Sequence, residues 1–312
     1  MREARVRPKE FWIKGKRINS ARHKAAIKRQ VEKTIKQEIK YVSSFFPYNI
    51  EKFHNRSLLY FQSIFLAEDL AENCFSKDEK AATKNGGSAA AKDPGRFGAG
   101  TKLINLIVGL ELLSIGTAFH DFKASGSFLN PGDSSGEIEK EYTLDLLFGD
   151  IFYSRAVIFL LRYGDHDVFD RILAALKELH ENRLKLHQKV RDMLEEDHEP
   201  SNYDRDTDSL VKANKLLGIS FDIGFNMFCK NTGRKKKKEY SSLTGHIILL
   251  RTYDELLKYL KSLKGGPSTE KISAYLTSKK NFTAKQLSDI ISELDSGKFN
   301  SSLKALLDSL EI

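Results

Sequence analysis

Cysteine is scarce in this chain, and its scarcity excludes a disulfide-stapled scaffold. Cys74 and Cys229 are the only two cysteines among 312 residues, and their spacing is not that of a metal site. Reduced thiols are ordinary in a cytosolic protein. The basic N-terminus lacks the apolar stretch of a secretory signal. We therefore expect a soluble, cytoplasmic protein.

Proline and long apolar runs are also scarce. The 6 prolines leave long stretches free to form helices. The longest apolar stretch, Leu103 to Phe119, contains Glu111 and is shorter than the roughly 20 residues that a membrane span requires. No strand-like alternation of useful length is present. The 40% hydrophobic content suffices for a large core, so we predict an all-α, single-domain helical bundle.

Apolar periodicity predicts where the helices lie. Ser20 is a candidate N-cap for a helix with one apolar stripe, formed by Ile27, Val31, Ile35, Ile39 and Val42. Further helices are predicted over residues 56–74, 102–120, 142–163, 168–193, 209–228 and 242–263. Two short amphipathic helices are predicted in the tail, lined by Leu287, Ile290, Ile291 and Leu294 and by Leu303, Leu306, Leu307 and Leu310.

Composition shifts suggest three parts of the chain. A basic segment, 1–19, precedes a helical domain, 20–264, and the short helices of 265–312 are expected to pack on that same domain. Within the domain, a flexible loop is predicted over 76–100 and a lysine-rich loop over 230–240, because glycine-rich and like-charged stretches disfavour packed structure.

The net charge of +9 is concentrated in the first 40 residues and in the run from Arg234 to Lys238. Such runs are mostly solvated, although they also permit weak contact with an anionic membrane surface. A basic nucleic-acid-binding helical protein is an alternative. Aromatic stacking is typical of single-strand binders, and Tyr240 is the one aromatic residue close to the run from Arg234 to Lys238, which disfavours nucleic acid as the partner.

Four short motifs follow one another in a recognisable order. Glu111–Phe122 reads ELLSIGTAFHDF, Gly149–Ala156 reads GDIFYSRA, Asp206–Leu210 reads DTDSL, and Tyr253–Lys258 reads YDELLK. Together they resemble the trans-polyprenyl (isoprenyl) diphosphate synthase family over roughly residues 20 to 260. The resemblance implies the helical isoprenoid synthase fold and a chemistry in which aspartate-rich motifs hold Mg²⁺ on a diphosphate.

The same motifs depart from the family where its chemistry is done. Phe122 and Ser125 stand where the first aspartate-rich motif has its second and third aspartates, and Lys258 stands at the last ligand position of the second. Asp206 replaces a phosphate-binding lysine. Mg²⁺ requires oxygen ligands, and several of these changes reverse the charge that the reaction needs. We therefore expect no catalysis and no bound cofactor in this chain alone.

The resemblance implies a vestigial substrate-binding set and a structural pair. The vestigial set consists of Arg56, His120, Asp121, Thr207, Asp254 and Glu255, and the structural pair is Asp150 and Arg155. Simpler roles compete with this assignment. His120 and Asp121 could form a hydrogen-bonded pair, Asp150 and Arg155 a buried ion pair, and Asp254 and Glu255 could be solvated.

The function implied by the resemblance is that of a degenerate subunit. Some polyprenyl diphosphate synthases are heteromers with a non-catalytic subunit, of the kind called component I in heptaprenyl diphosphate synthase. The partner would be a catalytic paralogue that holds the Mg²⁺, and prenyl diphosphate would be met only through the complex, in isoprenoid and quinone side-chain biosynthesis. The alternatives are a stand-alone pseudoenzyme that binds a prenyl or lipid chain, and the nucleic-acid-binding protein.

Overall fold

The computed structural model describes residues 21–45, 58–73, 96–121, 136–196, 207–229, 234–263, 266–293, 303–304 and 306–308. Within these ranges the regular structure is helical and no residue belongs to a strand, which confirms the predicted all-α class. The helices are α1 (Ala21–Ser43), α2 (Leu59–Asn73), α3 (Arg96–Asp121), α4 (Gly136–Tyr163), α5 (His166–Glu196), α6 (Thr207–Lys212), α7 (Lys215–Phe228), α8 (Arg234–Ser262) and α9 (Pro267–Glu293). Residues 303–304 and 306–308 are also helical.

Helix α1 forms as its periodicity predicts. Its apolar residues recur every three or four positions, so they share one face of the helix. All five residues of the predicted stripe are buried: Ile27, Val31, Ile35, Ile39 and Val42. Burial of this face against the rest of the bundle is what stabilises the helix, since most of its remaining surface is polar or charged.

Helices α3 and α4 form the most extensive helix pair among the described residues, and glycines let them approach. A Cβ on Gly116 of α3 would lie 2.5 Å from the ring of Tyr153 on α4. In the reverse direction, a Cβ on Gly149 of α4 would overlap the ring of His120 on α3. Each helix therefore inserts an aromatic ring over a glycine of the other, which leaves no room for a larger residue.

Among the described residues, the apolar interior divides into two clusters. The larger cluster draws on α1 to α4, the first half of α5, α7 and the first half of α8, and it also contains Leu287, Leu303 and Leu306. The smaller cluster draws on the second half of α5, α6, the second half of α8 and the first half of α9. Helices α5 and α8 each contribute one half to each cluster, and polar residues lie on both helices between the two halves.

The prediction of one helix over 209–228 is wrong in one respect. The structure breaks it at Ala213 and Asn214, between α6 and α7. Arg183 of α5 donates from Nε to the Ala213 carbonyl oxygen at 2.9 Å, and the Asn214 amide donates to Thr252 of α8 at 3.0 Å. These tertiary bonds satisfy the backbone and side chain at the break, so the helix is interrupted there without an unpaired carbonyl at Ala213.

Three predicted boundaries are also corrected. The lysine-rich segment is not a loop over 230–240, because α8 begins at Arg234 and is anchored by Tyr240, which is buried and donates to the Phe221 carbonyl oxygen at 3.0 Å. The loop predicted over 76–100 ends earlier, since α3 begins at Arg96, and residues 76–95 lie outside the described residues. The first short tail helix is instead the 27-residue α9.

One segment of α3 corrects the argument from apolar length. Gly100–His120 is long and apolar enough to cross a membrane by length and composition, with a mean hydropathy of 1.6. Its surroundings are nevertheless protein, since 72% of an apolar 18-residue stretch within it is buried. Glu111 within it is buried. The segment packs as a core helix of the bundle.

Candidate functional site

Asp254 on α8 lies where the sequence places the second aspartate-rich motif. Its carboxylate is buried, so the interpretation as a solvated residue is wrong. Lys280 of α9 lies 3.0 Å from Oδ1, and Lys258, one helical turn away, lies 3.1 Å from Oδ2. One ammonium group therefore lies beside each carboxylate oxygen, in the space where a bound metal ion would lie.

Glu255, the neighbouring carboxylate, is paired even more completely. Its Oε2 accepts from Arg183 of α5 at 3.0 Å and from the Asn214 amide at 2.9 Å. Its Oε1 accepts from Arg251 at 2.7 Å. The Glu255 side chain is only 25% exposed, so its interpretation as solvated is also wrong. We call Arg183, Asn214, Arg251, Thr252 and Glu255 the Glu255 network.

The charges of this network fix the ionisation of Glu255. Burial by itself raises the pKa of Glu255, but Arg183 and Arg251 lower it more, and the net result is a fall from 4.5 to about 2. The hydrogen bonds from Asn214 and Arg251 act in the same direction. Glu255 is therefore an ionised carboxylate held between two guanidinium groups at neutral pH.

Magnesium does not fit this part of the chain. A divalent cation needs several oxygen ligands with free lone pairs, whereas the Asp254 and Glu255 carboxylates here face two ammonium and two guanidinium groups. No group of three or more His, Cys, Asp or Glu side chains in the described part of the chain could hold a metal ion. The segment Tyr253–Lys258 therefore belongs to an ion-pair cluster.

His120 belongs to a second polar group, between α3, α4 and α5. Its ring stacks on Tyr153, with centroids 4.9 Å apart and planes at 12°. The Tyr153 hydroxyl contacts Nε2 of His180 at 2.7 Å and the Thr117 hydroxyl at 3.1 Å. The His120 Nε2 lies 3.3 Å from the carboxylate of Asp150, although the contact lacks the geometry of a hydrogen bond.

Asp150 and Arg155 do not pair with each other, so the predicted ion pair is wrong. Asp150 is 68% exposed and faces His120. Arg155 reaches α1, where it donates from Nε and Nη2 to the two carboxylate oxygens of Glu38 at 2.6 and 2.9 Å. The two residues are five positions apart on α4 and thus point in different directions. Arg155 joins α4 to α1.

Glu111, the first residue of the first motif, has a structural role. Its Oε1 accepts from the backbone N–H groups of Tyr60 and Phe61 at 2.7 and 3.1 Å. These N–H groups belong to the first turn of α2, where four donors lack partners within the helix and a negative charge is favourable. The buried carboxylate of α3 therefore caps α2.

The side chains of three predicted site residues lie outside the part of the chain that the structure describes. Arg56 lies outside the described residues. Asp121 is the last residue of α3 and Thr207 the first of α6, but their side chains lie outside the described set. The hydrogen-bonded pair of His120 and Asp121 therefore stays a prediction, as does any role of these three residues in binding.

Sequence reasoning named Lys258 but missed the other cations beside Asp254 and Glu255, which are Lys280, Arg183 and Arg251. Arg183 is 72 positions from Glu255, and Lys280 is 26 positions from Asp254. One signal was available for Arg251, which precedes Glu255 by four residues and so shares its helix face. An open groove of about 700 Å³ lies between α8 and α9, and its lining includes Leu260 and Ser273. Neither Asp254 nor the Glu255 network lines this groove.

Comparison with known proteins bears on the fold. No protein-family model matches the chain, and no curated protein matches it. Among solved structures, heptaprenyl diphosphate synthase from Staphylococcus aureus is similar with a TM-score of 0.50, at 14% sequence identity, over 92% of this chain and 97% of that chain. At this identity the likeness concerns architecture alone. The chain has a helical fold similar to that of a prenyl diphosphate synthase.

Proposed function

We propose that this chain is the non-catalytic subunit of a heteromeric trans-polyprenyl diphosphate synthase, acting in isoprenoid and quinone side-chain biosynthesis. The observation that carries the proposal is the ion pairing of Asp254 and Glu255, whose carboxylates are held by lysine and arginine side chains. A subunit of this kind contributes through a catalytic paralogue, which supplies the intact motifs and holds the Mg²⁺.

The exposed face of α4 supports the existence of a partner. Leu147, Ile158 and Leu161 are 45%, 37% and 50% exposed, and with Ser154 between them they recur at three- to seven-residue spacings on one face. The opposite face of α4 is buried through Phe148 and Phe152. A row of exposed large apolar residues on a helix is typical of a protein–protein contact.

The interface experiment uses a matched pair of variants. The chain is co-purified with polyprenyl diphosphate synthase paralogues that carry intact aspartate motifs, and product length and yield are measured. We expect Ile158→Asp to abolish pairing and the product change, because a charge buried in an apolar interface costs several kcal/mol. Leu184→Asp is the control, since Leu184 on α5 is 71% exposed and lies on another helix. Equal behaviour of the two variants would contradict the assignment of the interface to α4.

Catalysis by the chain alone is tested separately. With Mg²⁺, an allylic diphosphate and isopentenyl diphosphate, we expect no turnover above that of a blank, because the carboxylates of the second motif are paired with cations. Turnover that survives removal of contaminating synthase would refute the subunit assignment. Stoichiometric binding of a prenyl chain without any paralogue would instead favour the stand-alone lipid-binding protein.

A further inference from the structure

The outer face of α1 carries a row of cations. Arg29, Lys33, Lys36 and Lys40 follow one another at spacings of four, three and four residues, which places them on one side of the helix. All four are exposed. At a rise of 1.5 Å per residue the row is about 16 Å long. The buried apolar stripe faces the other way, so α1 is a basic amphipathic helix whose apolar face is already occupied by its own bundle.

The described carboxylates of α1 do not neutralise this cation row. Glu32 lies 3.9 Å from Lys28, which is outside the row, and Glu38 is bound to Arg155. In the described ranges of the chain no ion pair involves any of the four cations of the row. Their combined field therefore extends into solvent and attracts an extended anionic surface.

Two exposed aromatic rings lie at the C-terminal end of the same helix. Tyr41 is 48% and Phe45 54% exposed, and their rings meet edge to face with centroids 4.9 Å apart. The Arg155 guanidinium lies 5.0 Å from the Tyr41 ring, which fixes the pair beside the bundle. Tyrosine concentrates at membrane–water interfaces because its ring is amphipathic, and phenylalanine is common on the lipid-facing side of interfacial helices.

We propose that the outer face of α1 docks the chain on an anionic phospholipid surface. The cation row contacts the lipid phosphates, and the Tyr41–Phe45 pair enters the interfacial layer. Each cation near such a surface contributes about 1 kcal/mol, or roughly fivefold in affinity. This docking is independent of the subunit function, because α4 carries the partner surface and α1 carries the lipid surface.

The first experiment measures co-sedimentation with phosphatidylcholine vesicles, with and without phosphatidylglycerol. We expect binding only to the anionic vesicles, and weaker binding as salt is raised. The variant K33E/K36E should bind at least about twentyfold more weakly. The control K185E/K285E makes the same charge change at exposed positions of α5 and α9 and should lose less than about threefold.

Two results of this experiment would overturn the proposal. If the control loses as much as K33E/K36E, net charge and not α1 is responsible. If a single-stranded oligonucleotide binds more tightly than the anionic vesicles, nucleic acid is the partner. Thermal melts of both variants should match the parent chain, because all four substituted residues are exposed.

The second experiment tests the aromatic pair directly. Trp12 is the single tryptophan of the chain, so Phe45→Trp in a Trp12→Phe background provides one fluorescent reporter at the end of the row. We expect a blue shift of its emission on addition of anionic vesicles and no shift with phosphatidylcholine alone. The shift should disappear when K33E/K36E is added to the same background. Emission that stays unshifted on bound vesicles would overturn entry of the aromatic pair into the interface.

Discussion

The α3–α4 pair and the α5–α8 crossing are held together in different ways. At the α3–α4 pair, rings pack over glycines, as Tyr153 does over Gly116. At the α5–α8 crossing, Arg183 and Arg251 hold Glu255, in the gap between two apolar clusters. The first arrangement depends on shape and the second on charge. The difference shows that neighbouring carboxylates inside a helical bundle can be satisfied without a metal ion, because guanidinium and ammonium groups pair with them.

Among the changes that test this contrast, removal of a guanidinium should cause the largest loss of stability. Arg183→Met leaves Glu255 with one arginine and leaves the Ala213 carbonyl oxygen without its donor. Breaking one partner of a buried ion pair costs about 3–5 kcal/mol, so chemical denaturation should show a loss of that size. Lys185→Met, at an exposed site on the same helix, should change stability by less than about 0.5 kcal/mol. A loss below about 1 kcal/mol for Arg183→Met would contradict the structural role of the network.

Acid should weaken the α5–α8 crossing selectively. The pKa of Glu255 is lowered from 4.5 to about 2 in the folded chain, so its stabilising contribution is complete above its unfolded pKa and is lost as pH falls towards the folded pKa. The contribution amounts to about 3 kcal/mol. The stability difference between the parent chain and Glu255→Gln should therefore shrink as pH falls from about 4.5 to about 2. A difference independent of pH over this range would show that Glu255 acts through packing.

An added methyl group tests the shape-dependent region. Gly116→Ala would place its Cβ 2.5 Å from the Tyr153 ring and 3.0 Å from the Gly149 carbonyl oxygen, so the helices must separate. We expect a loss of about 2 kcal/mol in the free energy of unfolding, within the range for overpacked cores. The control is Gly245→Ala on α8, which meets nothing within 4 Å and should gain up to about 1 kcal/mol from helix propensity.

The smallest effect is expected from Asp150. Its carboxylate is 68% exposed and lies 3.3 Å from His120, so Asp150→Asn should cost less than about 0.5 kcal/mol. Thermal unfolding at low and high salt gives the measurement. A salt-sensitive loss above about 1 kcal/mol would show that the α3–α4 pair also depends on charge, and the contrast between the two regions would then be weaker.

Local regularity explains which features were predictable. The stripe of α1 follows from side-chain periodicity. The boundary between α8 and α9 is also local, because a Gly-Gly-Pro sequence at 265–267 disfavours the continuation of a helix, and α8 ends at Ser262 while α9 begins at Pro267. The break at Asn214 has no local signal, because its cause is Arg183 on another helix. The partner of Arg155 was missed for the same reason, since Glu38 is 117 positions away.

The sequence by itself determined the helical class of this chain and placed Lys258 and Arg251 one helical turn from Asp254 and Glu255. Hydrophobic spacing and residue identity are local properties, and they are sufficient for both. Only the tertiary structure decided which distant cation pairs with each carboxylate: Lys280 of α9 with Asp254, and Arg183 of α5 with Glu255. The physical reason is that an ion pair depends on distance and burial, and both are set by how the helices pack.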